Sequence, residues 1–378
     1  MATVPFAINV FMRAHVDALS RDYDVTLLTP GTRADLKPPL GAHIQWIEVP
    51  LERKISLIVD LRTIVHLWWI FRREKFDVVH SIMPKAGLLT MVAGRLAGVP
   101  LRLHTFTGQV WATRTGLTRR LLRRLDRVLV DNATRVLADS HSQRQFLIDN
   151  GVARPSAIEV LGDGSVAGVD AERFCYNAEA RRIIREHYGI PGDVVLFLFL
   201  GRLTRDKGLL NLSQAFALAA EQDPAHHLLV VGPDEEGLET EFAELGRRYP
   251  GRVHRAGFAE RPEDYMSAAD VFCLPSHREG FGSVIIEAAA IGVPSIASRI
   301  YGVIDAVEDG VTGILYEPSD SRALAEALLR LAGDAELRRR MGTAARERTV
   351  AKFSEARVTG ALAGLYRDLF SSVQRGPA

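Results

Sequence analysis

Residues 194–208 read Val-Val-Leu-Phe-Leu-Phe-Leu-Gly-Arg-Leu-Thr-Arg-Asp-Lys-Gly, and their reading decides the fold. Seven apolar residues run without a polar break into Gly201, so a buried strand ends at a glycine. Arg202 and Lys207 follow, five positions apart, and a helical pattern over Asn211–Glu221 comes next. Strand, loop and helix in this order are half of a βαβ unit.

The same rhythm runs outward in both directions. Downstream, strands are predicted at His227–Val231, Val253–Gly257, Val271–Pro275, Ser295–Ala297 and Gly313–Tyr316. Helices at Leu238–Arg248, Val284–Ile291 and Ala323–Leu331 alternate with them. Upstream, strands are predicted at Tyr23–Thr29, Ile44–Val49, Phe76–Ser81, Leu101–Thr107, Arg135–Ser140 and Ala157–Leu161. Helical patterns there include Phe11–Ser20, Leu57–Phe71 and Thr118–Ala133. Such alternation means parallel sheets with right-handed crossovers, and it occurs twice. The expectation is an α/β protein of two doubly wound, Rossmann-like domains facing across a cleft. The break is placed between Gly164 and Gly192, where Gly, Ser and Asp cluster. Ligands of open α/β sheets bind at the carboxyl ends of the strands.

The chain has 378 residues, 47% apolar and 25% charged. That suits two soluble domains and excludes a disordered chain, a collagen or a coiled-coil rod. Two cysteines, Cys175 and Cys273, cannot make a disulfide framework, and both are expected to be small buried residues in a reducing compartment. The opening Met1-Ala-Thr-Val-Pro lacks the marks of a signal peptide. No window is apolar enough to span a membrane; Ile55–Phe71 is interrupted by Asp60, Arg62 and His66. Net charge is +1, but residues 1–170 are basic and the remainder acidic, so only the first half is expected to face something anionic.

Two segments carry chemistry. In the first, Gly201 lets backbone approach a ligand, Arg202 offers a planar fork of donors, and Lys207 offers a point charge. Together they can neutralise a diphosphate; alone they are equally a helix start with two solvated cations. The second is Pro275-Ser-His-Arg-Glu279-Gly280-Phe281-Gly282-Ser283-Val284-Ile-Ile-Glu287. A strand ends at Pro275, glycines flank Phe281, and a helix opens at Ser283 with backbone N–H groups suited to an anion. Glu287 lies one turn into that helix, where a carboxylate suits paired sugar hydroxyls. The bland alternative is a capping loop with two exposed glutamates.

Glu279-x7-Glu287 after a strand, with Gly201-Arg202-Leu203 and Lys207-Gly208 upstream, resembles glycosyltransferase family 4, the retaining enzymes of the GT-B fold that use nucleotide-diphosphate sugars. Val231-Gly232, Pro294-Ser295 and Asp309-Gly310-Val311-Thr312-Gly313 add to the resemblance. Gly162-Asp163-Gly164-Ser165 and His104-Thr-Phe-Thr-Gly-Gln-Val-Trp111 are similar to bacterial enzymes that build polysaccharides or glycans on undecaprenyl carriers. The resemblance implies an N-terminal acceptor-binding domain over 1–172 and a donor-binding domain over 173–354. It also implies a C-terminal helix, 355–372, that returns to the first. It gives Arg202 and Lys207 the donor diphosphate, Glu279 the sugar, and Glu287 the ribose. Gly201, Phe281, Gly282, Ser283 and Val284 complete the donor site. No metal or other cofactor is expected; neither of the two segments carries an Asp-x-Asp, and there is no His/Cys cluster of ligand spacing.

Two departures stand out. Many relatives carry a His-Gly pair where Thr107-Gly108 stands here, leaving His104, three residues earlier, as a candidate beside Thr107 and Gly108. The family's opening strand and glycine-rich loop are reduced to Ala2-Thr-Val-Pro5-Phe6-Ala7-Ile8-Asn9, with Asn9 offering an amide.

Arg114, Arg119, Arg120, Arg123, Arg124 and Arg127 interleave with Leu117, Leu121, Leu122 and Leu125. Arg53, Lys54, Trp68, Trp69, Arg72, Arg73 and Lys75 form a second basic stretch. Cations with Trp and Leu on amphipathic helices suit an anionic membrane surface; each stretch alone reads also as an ordinary solvated face over a core stripe, and two in the same half favour the membrane. The expected partners are a UDP-sugar, a lipid-linked glycan acceptor and an anionic membrane, without nucleic acid. The expected location is cytoplasmic, peripheral on the inner face of the membrane. Two other functions fit the fold: a nucleotide-sugar 2-epimerase, and a non-catalytic nucleotide-sugar-binding subunit of a membrane assembly.

Overall fold

The computed structural model describes residues 1–36, 40–52, 56–223 and 225–374. Arg53 and Lys54 of the second basic stretch lie outside the described residues. Two compact units form: Met1–Gly168 with the segment from Glu355 onward, and Val169–Ser354.

In the first unit, α1 (Pro5–Ala7) and α2 (Arg13–Leu19) are joined by a π-helical turn over Ile8–Met12. β1 (Thr26–Thr29) and β2 (Gln45–Glu48) pair in parallel. α3 (Leu57–Glu74) leads to a second parallel sheet of β3 (Val78–Ile82), β4 (Leu101–Phe106), β5 (Arg135–Ala138) and β6 (Ile158–Val160), in that order. α4 (Pro84–Ala97), α5 (Gly116–Asn132) and α6 (His141–Asp149) connect these strands. Met1 and Ala2 link the sheets: Ala2 N–H donates to Leu28 O, and Ile82 N–H to Met1 O, each at 3.1 Å. The first strand is shorter than its apolar pattern suggests. Tyr23 is diverted to stack on Phe370, with ring centroids 4.8 Å apart.

In the second unit, α7 (Ala178–Tyr188) precedes β7 (Val195–Leu200), α8 (Leu209–Gln222), β8 (His226–Val231), α9 (Glu239–Arg248) and β9 (Val253–Ala256). Then follow α10 (Pro262–Ala268), β10 (Val271–Leu274), α11 (Ser283–Ile291), β11 (Ser295–Ser298), α12 (Val303–Ala306), β12 (Gly313–Tyr316), α13 (Ser321–Gly333) and α14 (Ala335–Phe353). One parallel sheet runs β12-β11-β10-β7-β8-β9. Side chains of β7 alternate between two cores: Val195, Phe197 and Phe199 pack with α8 and α13, while Leu196 and Leu198 pack with α10 and α11. A strand covered by helices on both faces has no use for polar residues, which explains its unbroken apolar run. Phe197→Ala would cost about 3–5 kcal/mol.

The chain leaves β7 toward β8 on one side and reaches β10 on the other side, so β7 and β10 are neighbours across the point where strand order reverses. Crevices for ligands open at such points.

The second unit begins at Val169, four residues before the expected start at 173. Val169 N–H donates to Phe353 O at 2.8 Å, and Val169 bridges Ser354, which ties this residue to α14. After Ser354, α15 (Glu355–Gln374) belongs to the first unit, where it packs on α2. Cys273 is buried, and burial raises its thiol pKa. Cys175 is exposed, against expectation; it follows Phe174, whose ring takes the buried position.

Candidate functional site

β7 and β10 pair through Val271–Phe197 and Phe272–Leu198, which brings the loops beyond their carboxyl ends together. Gly208 sits at φ +69°, and a Cβ there would lie 1.8 Å from Pro275 O. His277 N–H donates to Asp206 O at 2.8 Å, and Arg278 forks onto Asp206 Oδ2 at 3.1 and 3.3 Å. These bonds clamp the first loop against the second.

The clamp delivers Lys207 to Glu279. Lys207 Nζ donates to Glu279 Oε1 at 2.6 Å, and the buried Ser276 hydroxyl donates to the same oxygen at 2.7 Å. The Lys207 and Glu279 side chains are only 19% and 13% exposed. A pair this dry gives little net stability, yet breaking it by removing one partner leaves a costly lone charge. Its geometric effect is to fix the Glu279 carboxylate at the strand tips.

Arg202 is held elsewhere. Its Nη1 donates to Glu235 Oε2 at 2.6 Å, on the loop after β8. That loop is drawn in because Gly232, at φ +134°, has no Cβ to strike Gly201 O, which would lie 1.9 Å away. Leu203 N–H donates to Pro233 O at 2.8 Å, and Glu235 N–H to Leu203 O at 3.2 Å. The structure thus joins Lys207 with Glu279, and Arg202 with Glu235. Glu235 and Ser276 were not singled out from sequence. The acidic run Asp234-Glu235-Glu236 just past a strand end was the available signal for the first.

The glycine bracket around Phe281 has a structural reason. Phe281 is buried edge-on to Phe353, ring centroids 5.0 Å apart, and anchors the loop. Gly302 admits the loop from below: a Cβ there would sit 2.2 Å from Gly280 O. Gly282, at φ +80°, is the N-cap of α11 and no side chain caps that end. Ser283 and Val284, half-buried, form its first turn. Glu287, one turn on, is also half-buried. Burial pushes its carboxyl up to about 7, partly opposed by Arg173 and reinforced by Glu263. Arg173 Nη2 bonds Glu263 Oε2 at 3.1 Å.

In the first unit the weaker candidates separate. His104 does not reach a strand end. It is fully buried, its Nδ1 3.0 Å from Ser81 Oγ, its ring against Gly87 of α4 and edge-on to Phe106 at 4.6 Å. Burial drives its pKa down to about 3, which makes it a neutral core side chain. Thr107 and Gly108 do lie just beyond β4, with Gly108 at φ +106°. Asn9 sits in the π-helical turn, where its Oδ1 accepts from Arg13 at 3.1 Å. Sequence reading passed over His80, whose ring lies 3.0 Å from the Tyr366 hydroxyl and 2.9 Å from Thr105 Oγ1. His80, His15 and Asp139 line one small cavity of this unit. Among the described residues, no group of three or more His, Cys, Asp or Glu is arranged to hold a metal ion.

A two-unit parallel α/β chain with an anion-suited turn at the switch point of its second sheet has the architecture of the GT-B nucleotide-sugar enzymes. Residues 180–348 match the family described as glycosyl transferases group 1, and residues 7–164 match the glycosyl transferase 4-like domain. The chain is 31% identical over 326 residues to a capsular polysaccharide biosynthesis glycosyltransferase, CapM, of Staphylococcus aureus, covering 86% of this chain and 84% of that protein. It is 27% identical over 320 residues to an Escherichia coli UDP-Gal:alpha-D-GlcNAc-diphosphoundecaprenol alpha-1,3-galactosyltransferase, covering 83% and 81%. The fold is shared with HepE of Anabaena, solved in complex with UDP, at a TM-score of 0.77, 20% identity and coverage of 94% and 96%. The chain belongs to the family 4 glycosyltransferases and is a sugar-transferring enzyme.

Proposed function

We propose that this enzyme moves a hexose or N-acetylhexosamine from a UDP-sugar to a glycan carried on undecaprenyl diphosphate, with retention at the anomeric carbon. The product would enter a cell-surface polysaccharide. The observation that carries the reading is the meeting of Lys207, Ser276 and Glu279 at the tips of β7 and β10. The printed activities of CapM and of the galactosyltransferase support the product and acceptor classes. UDP in HepE supports the nucleotide.

In this reading the donor lies on the second unit. Lys207 and Arg202 face the diphosphate, which Arg202 reaches by exchanging Glu235 for phosphate oxygens of stronger charge. The N–H groups at the start of α11 meet the same phosphates, and Glu287 takes the ribose. Glu279 orients the sugar. As the glycosidic bond breaks, negative charge grows on the leaving UDP, and fixed cations already aimed there lower the barrier. The leaving phosphate accepts the acceptor's proton on the face it departs from, so the new bond forms with retention. Charge neutralisation by protein cations and helix N–H groups makes a bound metal unnecessary. The acceptor is assigned to the first unit, with peripheral contact at an anionic membrane on the cytoplasmic side.

A panel of UDP- and GDP-sugars with undecaprenyl-diphosphate glycans and lipid-free sugar phosphates tests the reading. Transfer from a UDP-sugar to the lipid-linked acceptor, insensitive to chelator and with an α-linked product from an α-linked donor, is expected. An inverted product, or loss of activity in chelator restored by a divalent cation, would contradict it. Lys207→Ala should lower turnover by about two decades or more.

A further inference from the structure

α3 is apolar on two opposite faces. Thr63, Leu67, Ile70 and Phe71 are buried against the first unit's core, where the helix packs on α4. The opposite face is open: Leu57 is 85% exposed, Ile58 69%, Leu61 63% and Trp69 51%, with Val65 and Trp68 beside them. At about 100° per residue these six positions fall within an arc of about 120°. Arg62, His66 and Arg73, all exposed, follow along one edge, and Arg72 caps the stripe near its C-terminal end. Arg73 lies 4.9 Å over the Trp69 ring. The acidic residues of α3 are already engaged: Asp60 by Lys85 at 2.7 Å and Glu74 by Arg73 at 2.8 Å.

α5 repeats the pattern on the same side. The β3–α4–β4 and β4–α5–β5 crossovers are both right-handed connections on one face of the sheet, and α3 and α5 each pack on α4. Leu117, Leu121 and Val128 are exposed on α5 with Arg120, Arg124 and Arg127 next to them, while Asp126 is buried and accepts from Trp111 at 2.7 Å. One outer helical layer therefore carries two apolar stripes, each edged with arginine. Exposed apolar stripes of the length seen on α3 mark interaction surfaces. On α3, Trp at the stripe, Arg at its margin and carboxylates already paired match the interface of an anionic bilayer in both polarity and charge, whereas α5 carries one exposed carboxylate, Asp131, near its C-terminal end.

We infer that α3 seats its Leu57–Trp69 stripe in the interfacial region of an anionic lipid bilayer, with the arginines of α3 and α5 on the headgroups. This deepens the membrane contact proposed above by naming the surface, and it rests on that reading only for its biological purpose.

The test uses the full chain with vesicles of phosphatidylglycerol and phosphatidylcholine in equal parts, and of phosphatidylcholine alone, in flotation at low and high salt. Binding to the anionic vesicles, weakened by salt, is expected. Leu61→Asp with Val65→Asp should weaken it about tenfold or more, as should Arg120→Glu with Arg124→Glu. Brominated lipid should quench fluorescence in the wild type and not in Trp68→Phe/Trp69→Phe, which keeps the apolar bulk. Thermal melts confirm that each variant is folded. No binding, equal binding to both vesicles, or undiminished binding by both charge-altering variants overturns the inference. A dimer that Leu61→Asp dissolves, without vesicle binding, also overturns it and gives the stripe to a second copy. UDP titration of the same samples keeps the readings apart: vesicle binding without UDP binding would leave this inference standing and the donor reading fallen.

Discussion

Glu279 Oε1 accepts from both Lys207 and Ser276, and the two donors have separable effects. In the proposed reaction Lys207 supplies charge toward the leaving group, whereas Ser276 only holds the carboxylate in place. Ser276→Ala should lower kcat by about tenfold with little change in KM for the donor, and Ser276→Thr should restore much of it. An unchanged kcat in Ser276→Ala would show that the hydrogen bond positions nothing of consequence. Glu287 carries a pH signature. Its carboxyl is raised from 4.5 to about 7, chiefly by burial. The folded chain then keeps a proton that the unfolded chain has lost between those values, so this group makes stability fall as pH rises through that window. Glu287→Gln should match the wild type near pH 4 and exceed it at pH 8, by at most about 3 kcal/mol. Denaturant melts at both pH values decide this; an equal difference at both would refute it.

The loop after β7 is shaped by contacts that no local pattern shows. Gly208 is needed both for its positive φ and for its approach to Pro275 O. Gly208→Ala should destabilise the second unit by about 2 kcal/mol or more and weaken donor binding, because it pushes Lys207 away from Glu279. A variant that binds donor normally would show the clamp to be dispensable. The strand of residues 195–200, its terminal glycine and the helix opening at Ser283 were legible because each has a local cause: an unbroken apolar run, a φ requirement, a cap position. The pairing of Arg202 with Glu235 was not. It depends on β8 lying beside β7 and on Gly232 allowing the loops to meet. His104 was ambiguous for a related reason. In a strand buried on both faces, alternation does not say which side a residue takes, and here His104 and Phe106 turn to α4 while Leu103 turns to the α15 side.

At the scale of the whole molecule, six histidines tie stability to acid. His15, His80 and His104 of the first unit, and His226, His227 and His254 of the second, all have lowered pKa values, with burial the first cause in each. A base held neutral in the folded state contributes stability that is present above its ordinary value of 6.5 and lost as pH falls below it. Melting temperature should therefore drop between pH 6.5 and 5, and His104→Asn should flatten that drop even where it lowers stability at pH 7. A slope unchanged by the substitution would remove His104 from the account. The alternation of strands and helices made parallel sheets in both units legible from sequence. The two-residue link of Met1-Ala2 between the sheets of the first unit was not, since it spans too few residues to form a pattern. Among the described residues no helix is long and apolar enough to cross a membrane.

In the proposed reaction the tips of β7 and β10 form a diphosphate site through Lys207. Calorimetric titration of UDP into the wild type, Lys207→Ala and the surface control Arg339→Ala tests it directly. Saturable binding by the wild type and the control, weakened about tenfold or more in Lys207→Ala, is the expected result. Equal affinity in all three folded proteins would contradict it.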